Sequence, residues 1–304
     1  MTYDEFKKYF LDEVSKKLPG DVCTKVEEIK KINGVKVDGV TFFREGVNCS
    51  PRIYLEGYYK KYVDGDEINT LVDTFVNCYE KNQIIIENCD FDFFKDYERV
   101  KDRIFFKVIN KEKNEELLKE VPYREFLDLA IVYYYLLDEK LIKENLSTIL
   151  ITNKILEMWE INEEEIKSAA FINTPQLFPL KVESMERVLT RLLGRNIFID
   201  IDTEALSCTP LYVISNDRLM YGAGAMLYKD ALKNIAGRTG EDMYIIPSSI
   251  NELIVAPVSF LETDFIISLK DMINMVNKNE VAEQEVLSNN LYFYSKTLDR
   301  IVII

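Results

Sequence analysis

Residues 130–137 read AIVYYYLL, an unbroken run of apolar and aromatic side chains that constrains the fold more than any other stretch. Isoleucine, valine and three adjacent tyrosines favour an extended strand, because β-branched and ring side chains fit a pleated surface. With no polar residue alternating among them, the run predicts a central strand covered on both faces. Successive side chains of a strand point to opposite sides, so Tyr133, Tyr134 and Tyr135 divide between the two faces. At least one of their hydroxyls is then expected to need a polar partner.

Around this strand the chain alternates between periods. Thr2 followed by Glu5 fits a capping box, and Phe6, Tyr9, Phe10, Val14 and Leu18 follow at helical spacing up to Pro19-Gly20. GVKVDGVTFF (34–43) reads as strand, and from Asp66 a helix carries Ile68, Leu71, Val72, Phe75 and Val76 inward. RIFFKVIN (103–110) and LSTILITN (146–153) are further strands, the second placed to pair with AIVYYYLL. Asn162 and Glu165 form a second capping box, TPQLFP (174–179) is a Pro-bounded loop, and SMERVLTRLLG is a helix stopped by Gly194. LYVISNDRLMYGAGAMLY (211–228) reads as two strands around a turn at Asn216-Asp217. KDALKNIAGRTG is a helix, and MYIIPSSINELIVAP holds two short strands. A helix at 268–278 and two terminal strands complete the chain. Strands and helices of mixed spacing, joined in part by hairpins, predict an α+β fold with mixed or antiparallel sheets and packed helices. Two strand-rich lobes are expected, residues 1–195 and 196–304.

Composition removes several classes of function. The 304 residues include no histidine, which excludes Ser-His and Cys-His nucleophile systems and nearly all catalytic zinc sites. A formal net charge of −14 repels phosphates and anionic lipid, so neither nucleic acid nor membrane is an expected partner. No apolar run approaches the roughly 20 residues of a membrane helix, and MTYDEFKKYF carries no apolar signal core. Cys23, Cys49, Cys78, Cys89 and Cys208 are scattered, odd in number and without a CxxC pair, which fits free thiols in a reducing cytoplasm. A cytoplasmic location is expected.

Four motifs together resemble a domain-of-unknown-function family of low-GC Gram-positive anaerobes. In order they are VPYREFLDLAIVYYYLL, ITNKILEMWEINEEEIKSAAFINTPQLFP, LYVISNDRLMYGAGAMLY and DMYIIPSSINELIVAP. The likeness runs from TYDEFKKYF to the EVLSNNLYFY tail. The same order is more distantly similar to a second uncharacterised cytosolic family of those bacteria. The resemblance implies a cytosolic α+β protein and supplies no catalytic residues.

Candidate chemistry is sparse. In IFIDIDTEAL (197–206), Asp200, Asp202 and Glu204 share one face of a strand and are the candidate ligands of a divalent cation. Ile197, Ile199 and Ile201 on the other face fit equally a charged edge strand, where such residues block pairing with other chains. There is no GxxxxGK[ST], and Tyr221-Gly-Ala-Gly-Ala225 lacks the third glycine and the acid of a dinucleotide fingerprint. Its glycines read better as points of close packing. Ser248, Ser249, Asn251 and Glu252 form a turn able to hold a small polar ligand or simply to cap backbone N–H groups. Cys208, before Pro210, has no basic neighbour to lower its pKa. Trp159 reads as a core anchor. Tyr54, Tyr58, Tyr59, Tyr62 and Tyr134 are candidate binding residues, because surplus tyrosines favour protein interfaces.

These observations lean away from an enzyme. The leading expectation is a non-enzymatic protein-binding or regulatory module that needs no cofactor and has another protein as its partner. A divalent-cation-dependent hydrolase or phosphoryl-handling enzyme is the alternative, and a small-ligand sensor the second.

Overall fold

A computed structural model describes residues 1–44, 52–87, 91–137, 148–193, 210–261 and 263–304. Their sheets are antiparallel throughout and their helices pack beside them, so the fold is α+β. Contacts group the chain into two compact units, Met1–Phe93 with Leu137–Ser147, and Phe94–Leu136 with Thr148–Ile304. The 195/196 boundary expected from the sequence falls within 194–209, outside the described residues. The contact-defined division lies at 93/94 and brackets 137–147.

In the first unit, helix α1 (Tyr3–Lys17) opens with the Thr2–Glu5 capping box. Strands β1 (Val22–Lys30), β2 (Lys36–Arg44) and β3 (Arg52–Tyr54) form a sheet with β2 in the middle. Helices α2 (Glu56–Val63) and α3 (Ile68–Glu87) follow. Phe6, Phe10 and Val14 of α1, Val40 and Phe42 of β2, and Leu71, Val72, Phe75 and Val76 of α3 are buried in one core cluster. Their spacing on each element puts the apolar stripe on the packed side, which is the source of the unit's stability.

In the second unit, the AIVYYYLL run becomes the strand it predicts. Strands β4 (Ile104–Asn110), β5 (Tyr123–Phe126), β6 (Leu129–Leu136) and β7 (Thr148–Leu150) make a four-stranded sheet. β4 pairs along one side of β6, and β5 and β7 pair with its two halves. All of β6 is buried. The Tyr133 hydroxyl is buried without a hydrogen-bond partner among the described residues. Helix α4 (Asn153–Trp159) ends at Trp159, whose Nε1 donates to the Phe94 carbonyl at 2.6 Å, so the indole is an anchor as expected.

Helix α5 (Glu163–Leu177) starts at the Asn162–Glu165 capping box and covers β4. The Phe171 ring stacks on Phe106 at 4.6 Å. Here the expected TPQLFP loop is corrected, since Thr174 to Leu177 are the last helical turn with Pro175 inside it. Pro175 there lacks an N–H to donate and its ring crowds the Phe171 carbonyl four residues back, so the turn needs support from elsewhere. Thr174 repays the turn by accepting from Phe106 N at 3.0 Å and donating to the Ala170 carbonyl at 2.5 Å.

A six-stranded sheet fills the rest of this unit. Its strands are β8 (Leu180–Ser184), β9 (Tyr212–Asn216), β10 (Met243–Ser249), β11 (Glu252–Pro257), β12 (Tyr292–Ser295) and β13 (Arg300–Ile303), in the order β13-β12-β10-β11-β9-β8. Helix α6 (Met185–Leu193) follows β8. The hairpin expected at Asn216-Asp217 is absent among the described residues, because the chain leaves β9 into a buried 3-10 turn, Gly222–Leu227. Leu219 and Tyr221 have φ of 55° and 58°, left-handed values that stop a second strand from starting. Helix α7 (Ala231–Thr239) stops at Gly240, φ 83°. Helix α8 (Thr263–Asn279) lays Leu269 and Ile273 on Tyr244 and Leu291.

Candidate functional site

Lys107 is the only charged residue in β4 and β6, and it lies in the middle of the buried β4 run. It is 4% exposed. Its Nζ sits 3.6 Å from the Tyr134 ring centroid and 3.5 Å from that of Tyr221, with Phe105 at 5.5 Å. Among the described residues its hydrogen-bond acceptor is Thr148 Oγ1, at a long 3.5 Å. Among the described residues no carboxylate pairs with it, and burial alone pushes the amine well below the usual lysine range. Two aromatic faces attract a desolvated cation by about 2 kcal/mol or more each. Burying an ammonium with no carboxylate beside it costs several kcal/mol or more, which shifts the balance toward the neutral amine.

Tyr221 reaches this position by a strained route. Its φ of 58° is supported by a bond from its own N–H to Asn251 Oδ1 at 3.0 Å. The next residue has to be glycine: a Cβ on Gly222 would stand 2.2 Å from Ser215 Oγ and 2.5 Å from the Asn251 carbonyl oxygen. Non-glycine residues held at positive φ persist where surrounding contacts impose them, and they gather at functional sites. The turn Ser248–Glu252 thus acts through Asn251. Its serines bond locally, Ser249 Oγ accepting from Asn251 N at 3.0 Å and Ser248 Oγ donating to Glu252 Oε1 at 3.2 Å. Gly224 lets the Phe106 ring come close, at 3.1 Å from where its Cβ would be, so the GAGA stretch serves close packing.

A second feature lies on α8. Phe265, Met272, Met275 and Val276 are between 39% and 58% exposed, beside the buried Leu269–Ile273 stripe. At 100° per residue these four fall within one strip of the helix surface. A strip of flexible methionines with a phenylalanine suits binding more than solvation.

The residues singled out from sequence are scattered. Tyr58, Tyr59 and Tyr62 are half-buried and pack against the core of the first unit. Burial pushes the Tyr58 hydroxyl up to about 12. Tyr54 is exposed, with Lys31 Nζ 3.5 Å above its ring. Tyr134 belongs to the second unit, against Lys107. Asp200, Asp202, Glu204 and Cys208 lie outside the described residues. Among the described residues no group of three His, Cys, Asp or Glu is arranged to hold a metal ion, and no helix is long and apolar enough to cross a membrane. Lys107 was missed, although a lone lysine between Phe105-Phe106 and Val108-Ile109 is a visible signal.

Fold and site together define an α+β protein with a buried lysine set against two tyrosine rings and an exposed apolar helix face. The chain belongs to a family of unknown function, DUF5688, whose model matches residues 3–296. No curated protein and no solved structure matches it.

Proposed function

We propose that this protein is a non-enzymatic, cytoplasmic binding module that docks another protein on α8. The observation that carries the reading is the strip Phe265, Met272, Met275 and Val276, exposed beside the buried Leu269–Ile273 stripe of the same helix. Apolar strips at this spacing receive an amphipathic segment of a partner, and methionine adapts to its shape. A chain of net charge −14 repels a second copy of itself. The occupant that this charge favours is a neutral or basic segment of a different protein.

The test places a photo-crosslinking amino acid at Met275 of the full chain in the cell that makes it. One discrete adduct, lost on adding Met272→Glu and not formed from the same crosslinker at Ile172, is the expected result. Ile172 is a fair control because it is 64% exposed on another helix. No adduct, an adduct of twice the chain's mass, or the same adducts from Ile172 would each overturn the reading.

A further inference from the structure

We propose that Lys107 is an amine site that takes up a small uncharged aldehyde as an imine. The inference is independent of docking on α8. Three features of the packing support it. As a neutral amine it has two N–H groups and a lone pair, and among the described residues its hydrogen-bond acceptor is Thr148 Oγ1 at 3.5 Å, so beyond the two rings it faces the nitrogen is not held by a charged partner. The groups around it are rings and one hydroxyl, contributed by Phe105, Tyr134, Tyr221 and Thr148. Among the described residues no second cation stands beside it to recognise a carboxylate or phosphate, which favours an uncharged carbonyl compound. The cover is also thin on one side: Tyr134 and Phe105 are buried, whereas Tyr221 and Thr148 are half-exposed. Tyr221 caps the amine from a left-handed turn and is the side chain that has to swing aside.

The reaction balances without a co-reactant. The Nζ lone pair attacks the carbonyl carbon to give a carbinolamine. The carbon–oxygen bond then breaks, and the oxygen leaves as water with both amine protons, leaving C=N. Thr148 Oγ1 is the hydroxyl near enough to relay a proton. Amines attack only in the neutral form, and at pH 7 an ordinary lysine is neutral in roughly one molecule in 2,500. Burial gives Lys107 the advantage over surface lysines.

The experiment treats the full chain with acetaldehyde and cyanoborohydride at pH 7 and follows N-ethylation by peptide mass mapping. Lys107 is expected to react at least about tenfold faster than the exposed Lys113 and Lys278. Tyr221→Ala raises the Lys107 rate severalfold and leaves the other two unchanged. Slower reaction at Lys107 than at Lys113 and Lys278 in the unaltered chain overturns the proposal, whether or not the Tyr221 variant folds. An unchanged Lys107 rate in a folded Tyr221→Ala overturns it as well, since Tyr221 is the side chain that has to move aside.

Discussion

The Tyr292 hydroxyl donates to Asp128 Oδ1 at 2.7 Å and so ties strand β12 of the six-stranded sheet to the β5–β6 turn of the four-stranded one. Asp128 Oδ2 also accepts from Ser288 Oγ at 2.6 Å and Asn290 Nδ2 at 2.9 Å. A single carboxylate thus satisfies three donors, two of them on the fully buried Ser288 and Tyr292. Hydrogen bonds to a charged acceptor are the stronger kind, and a buried donor stranded by mutation keeps its desolvation penalty. Asp128→Ala should therefore lower stability by about 3–4 kcal/mol in urea unfolding, against about 1.5–2 kcal/mol for Tyr292→Phe. Equal losses in the two variants would mean that Ser288 and Asn290 contribute nothing.

The amine of Lys107 should make stability depend on pH. Its folded pKa is depressed, so between that value and the ordinary lysine value the unfolded chain binds one more proton than the folded one. Stability then rises with pH across that window, by roughly 1.4 kcal/mol per pH unit from this group. Lys107→Met removes the slope: the variant is more stable than the parent near pH 8 and its advantage shrinks towards pH 10. Urea titrations of both proteins at several pH values measure the difference, and parallel curves would show that the amine stays charged in the fold.

Much of the fold was legible where local rules and tertiary packing agree. AIVYYYLL had no other way to be buried, and the pairs Thr2–Glu5 and Asn162–Glu165 carried their own start signals. Pro175 was misread because its place in α5 depends on what Thr174 bonds in β4, a contact far away in sequence. The second strand expected after Asn216 failed for a similar reason, since Gly222 is held by Ser215 and by the Asn251 carbonyl. The helix expected at 268–278 begins earlier, at Thr263, which hid Phe265 from the apolar strip. Lys107 stands out in sequence, but Tyr221, its covering ring, comes from a different part of the chain.

The glycines of the 3-10 turn offer a graded test. A methyl group at Gly222 meets Ser215 Oγ, Ser215 Cα and the Asn251 carbonyl oxygen, two of which are backbone. At Gly224 it meets only the edge of the Phe106 ring. Overpacking typically costs about 1–3 kcal/mol, and backbone clashes lie at the upper end or above. Gly222→Ala should be the more damaging by about 2 kcal/mol or more in thermal unfolding. Adding Ser215→Ala should not rescue it, because the Asn251 carbonyl remains.

Thr174 gives the last prediction, because it closes an edge. Among the described residues β4 pairs on one side, with β6, and the outward N–H of Phe106 finds Thr174 Oγ1 in α5. Thr174→Val keeps the shape and removes the acceptor. The buried Phe106 N–H is then left without a partner, at about 1–3 kcal/mol. Thr174→Ser keeps the acceptor and loses one methyl group, about 1 kcal/mol. The ordering Val worse than Ser should appear in urea midpoints, and faster amide exchange at Phe106 should accompany Thr174→Val alone. If serine is the worse replacement, Thr174 holds α5 on β4 through its methyl group, and the edge bond carries little.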